Sequence, residues 1–390
     1  MPIVRLALSH TAEGVLTLDA LARLVRSTAL NPLLTSLPLL YAVCRAIAGP
    51  VGGVEGWPHF LALVKHVDWT KLGREQEVTA ALALFGAGIV CRVNEQLNRG
   101  ARNNFARGDG WNGENEVVVI TGGAGGLGRV VCSDLCAKGI KVVAFDAAPR
   151  PAGLPAEIAF YQIDVSNPDK VREAATAVRT TLGAPTVLVN MAGIVRAKSI
   201  LDLSKRDIDL TYDVNVKAQY YTVQEVLPEM IAKGHGHIVT IASSTAYHAA
   251  ATGVSYCSSK AAALSFHEGL TEELRHVYQP TASARKIRTS VVCPAHIKTD
   301  MFTGFKNDLP RWVAPGLEVD TVAKLVVETI MSGESQHIIE PFYAKVMPLA
   351  RGWPTWIYGA VLACAKNALK GVVNRDAQAG YGTFKADARG

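Results

Sequence analysis

The sequence predicts an α/β protein: a doubly wound parallel sheet with helices on both faces, extended at each end by hydrophobic helical segments. Three observations carry that prediction. The run Val117-Val118-Val119-Ile120 opens at once into Thr121-Gly122-Gly123-Ala124-Gly125-Gly126-Leu127-Gly128, and a β-branched run entering glycines is a buried strand turning into a helix. Beyond it, short apolar runs alternate with helix-length stretches as far as residue 340, the alternation that builds a parallel sheet. Outside that core, uncharged stretches at 27–44 and 78–91 and an aromatic stretch at 345–370 have no place in such a sheet.

Residues 1–115 are expected to be hydrophobic and membrane-associated. The start has no basic segment leading into an apolar core and cleavage site, so no secretory leader is expected. Residues 17–30 put Leu18, Leu21, Leu24, Val25 and Ala29 on one side of a helix that Asn31-Pro32 closes. The stretch 27–44 is interrupted by Pro32 and Pro38, which suits an interfacial segment better than a straight span. The run 78–91 is shorter than the roughly 20 residues a span needs. Arg92, Arg99, Arg102 and Arg107 follow it, a cationic flank for anionic headgroups. Residues 104–115, rich in Gly, Asn and charge, read as a linker.

Within the core, 116–340, strands are expected at 117–120, 141–145, 159–163, 186–190, 237–241, 288–292 and 337–339. The first helix carries Val130, Val131, Leu135 and Ala137 and stops at Gly139. Further helices are expected at 169–182, 208–232, 255–277 and 321–331. The remainder, 341–390, reads as an amphipathic extension and polar tail. Trp353, Trp356, Tyr358, Val361 and Leu362 lie near Arg351, a face suited to a bilayer surface, a pocket cover or a dimer seam.

Composition narrows the chemistry. At 390 residues, 49% hydrophobic and with a net charge of +6, the chain suits an anionic cofactor or lipid surface and gives nucleic-acid binding no support. Seven scattered cysteines without a C-x-x-C pair argue for a reducing compartment and against a disulfide framework. His10, His235, His237, His248 and His296 have no metal-ligand spacing, and no metal is expected.

Strand, glycine turn and helix N-terminus together aim backbone amides and a helix dipole at an anion, here a pyrophosphate. Gly122, Gly126 and Gly128, with Leu127 before the last, give G-x-x-x-G-x-G in a Rossmann-type setting. Asp146 ends the second strand about twenty residues on, where a carboxylate can hold the adenosine ribose hydroxyls. A second constellation lies further along. Tyr256 and Lys260 stand one helical turn apart, and an ammonium beside a phenol lowers its pKa toward the working range. That makes Tyr256 a candidate proton donor and acceptor. Ser243 ends the preceding strand, placed to hydrogen-bond a carbonyl or hydroxyl, and Asn215 offers an amide for a water relay.

Taken together, Thr121-Gly122-x-x-x-Gly126-x-Gly128, Asn190-Met191-Ala192-Gly193, Asn215, Ser243, Tyr256-x-x-x-Lys260 and Pro294-x-x-Ile297-x-Thr299 resemble the short-chain dehydrogenase/reductase family over 117–340. The resemblance implies an oxidoreductase acting on CH–OH groups, with Tyr256 as acid/base. Lys260 would lower its pKa and bind the nicotinamide ribose, Ser243 would position the reacting oxygen, and Asn215 would support the proton relay. Asn190 and Gly193 would border the adenosine half of the cofactor, and Asp164 and Val165 the adenine. Pro294, Ile297 and Thr299 would flank the nicotinamide, the last two holding its carboxamide. Met191 departs from the family's usual second asparagine and Ala295 from a common glycine.

NAD is expected over NADP. Asp146 would repel a 2′-phosphate, and no basic residue stands at Gly123 or Ala124, although Arg150 is near in sequence. Tyr256-Cys257-Ser258-Ser259-Lys260 with Ser265-Phe266-His267-Glu268 is similar to the membrane-associated branch of 17-beta-hydroxysteroid dehydrogenase type 11 and retinol dehydrogenase 10. That branch implies a steroid, retinoid or fatty-alcohol type of lipophilic substrate, a cytosolic catalytic domain at the endoplasmic reticulum or a lipid-droplet surface, and a homodimer as an open option. Residues 301–316, with Phe302, Phe305, Leu309, Trp312 and Val313, are expected to form a substrate lid. Alternatives are an NADPH-dependent ketoreductase of aromatic or polyketide ketones and an idle nucleotide-binding scaffold.

Overall fold

Seven strands of the computed structural model form one parallel sheet among the described residues, in the order β3-β2-β1-β4-β5-β6-β7. They are β1 Val117–Thr121, β2 Lys141–Asp146, β3 Ala159–Gln162, β4 Val187–Asn190, β5 His237–Ile241, β6 Arg288–Pro294 and β7 His337–Glu340. The structure describes residues 76–372 apart from 109, 279–282 and 307–308, together with residues 25, 27, 30 and 31. Most of the expected apolar stretches at 17–30 and 27–44, and the tail beyond 372, lie outside the described residues.

The helices are α1 Gln76–Arg102, α2 Gly126–Cys136, α3 Pro168–Thr181, α4 Lys205–Tyr212, α5 Ala218–Lys233, α6 Val254–His276, α7 Val319–Ser332, α8 Met347–Ala350 and α9 Thr355–Ala363. The chain divides into two compact units, one ending at Arg99 and one starting at Gly100. In the first, α1 exposes Leu82, Val90 and Leu97.

Side chains alternate across a strand, and here both faces of the sheet are covered. Val118 and Ile120 of β1 and Val142 and Ala144 of β2 face a core layer closed by Leu127, Val131 and Leu135 of α2 and Val322, Val326 and Ile330 of α7. Val117 and Val119, with Val143 and Phe145, face the opposite layer, closed by Val178 of α3, Val226 and Met230 of α5, and Leu270 and Leu274 of α6. Burial on both faces is why these strands read as unbroken apolar runs. The strand order reverses between β1 and β4, which opens a crevice at their carboxyl ends.

Local signals set the helix ends. Asn167 caps α3, its Oδ1 accepting from Asp169 N and Lys170 N at 3.0 and 3.2 Å, with Pro168 at the first turn. Ser204 and Asp207 form a reciprocal capping box at α4. Left-handed Gly234 and Gly333 end α5 and α7.

Two segments differ from the sequence expectation. The helix expected at 208–232 is broken by a π-helical turn, Asp213–Lys217. Its cause is Asn215, whose amide is drawn out of the helix face to pair with both backbone groups of Ile194. The stretch expected as a linker at 104–115 is docked at its start. Asn104 Nδ2 donates to Arg285 O at 3.1 Å, and Arg288 donates to Asn103 O and Ala106 O at 2.9 and 2.8 Å. Asparagine polarity, read as solvation, serves buried hydrogen bonds instead.

His237, at the amino end of β5, is buried. Its Nε2 lies 2.8 Å from Ser290 Oγ, and its Nδ1 finds no partner. Burial, and then the charge of Arg288, push its pKa down to about 3. The folded protein therefore binds fewer protons than the unfolded chain between that value and the ordinary histidine range near 6.5, so stability falls as pH drops through that window. In His237→Gln, the loss of unfolding free energy between pH 7 and pH 5 should be smaller by about 2 kcal/mol. Urea titrations at the two pH values check this, and an unchanged difference would refute a neutral buried imidazole.

Candidate active site

The glycine turn leaves β1 at Gly122, which has φ 75°. A Cβ there would lie 2.9 Å from the Ala192 Cα, and one at Gly128 would run into the Gly122 carbonyl oxygen. At Gly126 the nearest atom to a Cβ is Thr299 Cγ2, 3.7 Å away, an ordinary van der Waals contact without a clash. No side chain caps the N-terminus of α2, leaving its first amides to the cavity. Thr121 joins the two sides of the crevice: its Oγ1 accepts from Met191 N and Ala192 N, each at 3.0 Å.

Asp146 lies at the end of β2, as expected, but its carboxylate turns toward the turn itself. Ala124 N donates to Oδ2 at 2.8 Å and Ala148 N to Oδ1 at 2.9 Å. Burial raises its pKa, while surrounding backbone amides pull it back down. Arg150 is occupied: its guanidinium donates to the carbonyls of Ile158 and Pro155, at 2.9 and 2.5 Å.

A cavity of about 780 Å³ runs from this turn to the lid. Its wall includes Gly122, Gly126, Leu127, Gly128, Gly193, Ser243, Tyr256, Lys260, Pro294, Ile297 and Thr299. Five residues named from the sequence lie off that wall. Asp146 stands behind the turn. Asp164 is exposed, its Oδ1 accepting from Ser166 N and Oγ at 2.9 and 2.7 Å, and Val165 is in the core. Asn190 is buried, its Oδ1 accepting from Thr222 Oγ1 at 2.8 Å and its Nδ2 left without a partner.

Asn215 is the fifth, fully buried behind Gly193. Its Oδ1 accepts from Ile194 N at 2.8 Å, and its Nδ2 donates to Ile194 O and Ser259 Oγ at 3.0 and 2.9 Å. The amide expected to hold a relay water is already engaged with the protein, and its backbone carbonyl accepts from Gln219 Nε2 at 2.6 Å.

Helix α6 brings Tyr256 and Lys260 to the wall. Lys260 Nζ donates to Ile241 O, the end of β5, at 2.9 Å and lies 5.9 Å from the centre of the Tyr256 ring. Burial pushes the lysine down to about 8. The Tyr256 phenol moves the other way from the sequence expectation. Burial raises its pKa, and a hydrogen bond with Ser243, rather than the charge of Lys260, draws it back down. A side chain 5% exposed loses more from desolvation than an ammonium already bonded to a carbonyl returns. Ser243 is oriented by Thr245, whose Oγ1 donates to Ser243 Oγ at 2.9 Å.

Sequence reasoning missed two contributors. Thr245 follows Ser243 by two residues, the reach of a local hydroxyl turn. His296, dismissed there as a metal ligand, lines the cavity and stacks on Phe305 with ring centres 3.8 Å apart. Its place between Pro294 and Ile297 was the available signal. Phe302, in the segment expected as a lid, meets Tyr256 edge-on at 6.1 Å. Trp312 of the same segment is exposed. The wall thus combines anion-binding amides, a proton-carrying pair and an aromatic cover, a set suited to hydride and proton removal from an alcohol beside a dinucleotide.

Known proteins bear on this arrangement. Residues 116–310 match the short chain dehydrogenase family. Dehydrogenase RED2 of Cochliobolus heterostrophus is 38% identical over 215 residues, covering 54% of this chain and 80% of that protein. Human estradiol 17-beta-dehydrogenase 11 is 31% identical over 247 residues, 61% of this chain and 79% of that one. Among solved structures, a short chain dehydrogenase from Burkholderia cenocepacia in complex with NADP superposes with a TM-score of 0.52 at 24% identity. That alignment covers 64% of this chain and 98% of the other, and shows a shared fold. With the glycine turn and the Ser243, Tyr256 and Lys260 wall already in place, the chain belongs to the short-chain dehydrogenase family, as an oxidoreductase of CH–OH groups using a nicotinamide nucleotide.

Proposed function

We propose that the protein is an NAD-dependent dehydrogenase interconverting an alcohol and a ketone or aldehyde on a lipophilic substrate. The observation that carries this reading is that Ser243, Tyr256 and Lys260 share one cavity with the glycine turn. A nicotinamide bound along the turn supplies the hydride acceptor. Tyr256, as its phenolate, takes the hydroxyl proton of the alcohol, and Ser243 donates to the reacting oxygen as it becomes a carbonyl. Lys260 would hold the cofactor ribose. Gly193 leaves room on the adenosine side, while Pro294, Ile297 and Thr299 border the carboxamide.

NAD is favoured by charge. The buried Asp146 carboxylate stands at the end of β2, and the nearby Arg150 guanidinium is engaged by carbonyls of its own loop. An apolar substrate is supported by the aromatic cover of His296, Phe302 and Phe305. Among the described residues no helix is long and apolar enough to cross a membrane. Exposed Val90 and Leu97 on α1 and Trp356 on α9 support attachment of the flanking regions, 1–115 and 341–390, to a lipid surface, with 116–340 as the catalytic domain.

The test is NADH formation by the full chain over a panel of apolar alcohols. Tyr256→Phe should lower turnover by at least about a hundredfold, with NADH still bound, as read by its fluorescence. Turnover at the parent rate would remove Tyr256 from the reaction. For cofactor choice, Asp146→Ser should shift the ratio of kcat/KM for NAD over NADP by at least about tenfold toward NADP. A constant ratio would mean that this carboxylate does not select the nucleotide.

A further inference from the structure

Three segments far apart in the sequence meet beside the catalytic phenol: the lid at 300–306, the N-terminus of α6, and residues 364–372 after α9. Leu369 and Val372 of this last strap are 3% and 6% exposed. They are buried with Val195, Tyr256, Cys257 and Phe302. Leu369 Cδ1 occupies the space a Cβ at Gly253 would take, directly before α6. On its other side the strap grips the lid. Lys306 N donates to Ala368 O at 3.2 Å, and a Cβ on Gly371 would stand 2.7 Å from Gly304 O. Gly304 has φ 90° and sits between Phe302 and Phe305, so two glycine backbones meet directly behind the aromatic cover.

We propose that this strap is the specificity element of the pocket. It does not line the cavity; it backs the lid and wedges it against the catalytic helix, holding Phe302 and Phe305 where they cover an apolar alcohol. The preference for bulky apolar alcohols over short ones is then set from behind the lid by Leu369 and the Gly304–Gly371 contact. This rests on the reading of Tyr256 as the acid/base.

Two full-chain variants test it. Leu369→Ala hollows the contact with α6, and Gly371→Val wedges the strap away from the lid. Initial rates are measured for a short and a bulky apolar alcohol, with NADH affinity alongside. Each variant should raise KM for the bulky alcohol relative to the short one by about tenfold, with NADH affinity within about twofold of the parent. Cys257, one residue from Tyr256 and 5% exposed, reports the cover without turnover. Its alkylation, followed by mass spectrometry, should accelerate in both variants. Unchanged KM ratios with unchanged Cys257 labelling overturn the proposal. So do equal losses of substrate affinity, NADH affinity and thermal midpoint, which would make the strap a general support. A parent chain that oxidises no alcohol refutes the Tyr256 reading alone. Faster Cys257 labelling in the variants would then still support the strap as the pocket's cover, and flat labelling would overturn it.

Discussion

A lysine held inside the protein by a single strand-end carbonyl is the constraint on which the site depends. Lys260 is 5% exposed, and its Nζ donates to Ile241 O. That bond pins α6 to the end of β5. Tyr256 lies one turn earlier on the same helix face, and Ser243 comes two residues after Ile241, so one interaction brings phenol and hydroxyl together. Desolvation disfavours the ammonium, and a well-packed apolar side chain of similar size would leave the fold more stable. Stability is given up where function requires it.

The central sheet was legible because its inner strands are buried on both faces. Their apolar runs matched the observed limits to within a residue or two, and β1 to β7 follow in the expected order. The glycine turn and the Ser243, Tyr256 and Lys260 wall were legible for a related reason: their chemistry needs particular residues at close sequence spacing. What lay hidden depends on contacts distant in sequence. Nothing local in 208–232 announces the π-helical turn, because Ile194, 21 residues away, draws Asn215 out of register. The direction of the Tyr256 shift was equally hidden, since the burial that raises it comes in part from Phe302 and Leu369. A neighbouring charge can be read from spacing; the solvent exclusion opposing it cannot.

The strap joins the site from outside the segment that the family shares. Strands β1 to β6, the turn and the wall of Ser243, Tyr256 and Lys260 lie within the segment matching the family, 116–310, whereas β7 and the strap lie beyond it. Leu369 and Val372 nevertheless pack in the same cluster as Tyr256. The part of the sequence outside the common fold thus reaches the side of the catalytic helix without adding a reacting group.

The two tight glycines of the turn guard each other. Because a side chain at Gly128 would strike the Gly122 carbonyl, and one at Gly122 the backbone of Ala192, neither position tolerates a methyl group. Gly126 differs, since a Cβ there would make only an ordinary contact with Thr299. Damage at the first two would surface in a cell as missing protein, cleared before it met a nucleotide, whereas the fold itself places no such demand on the third.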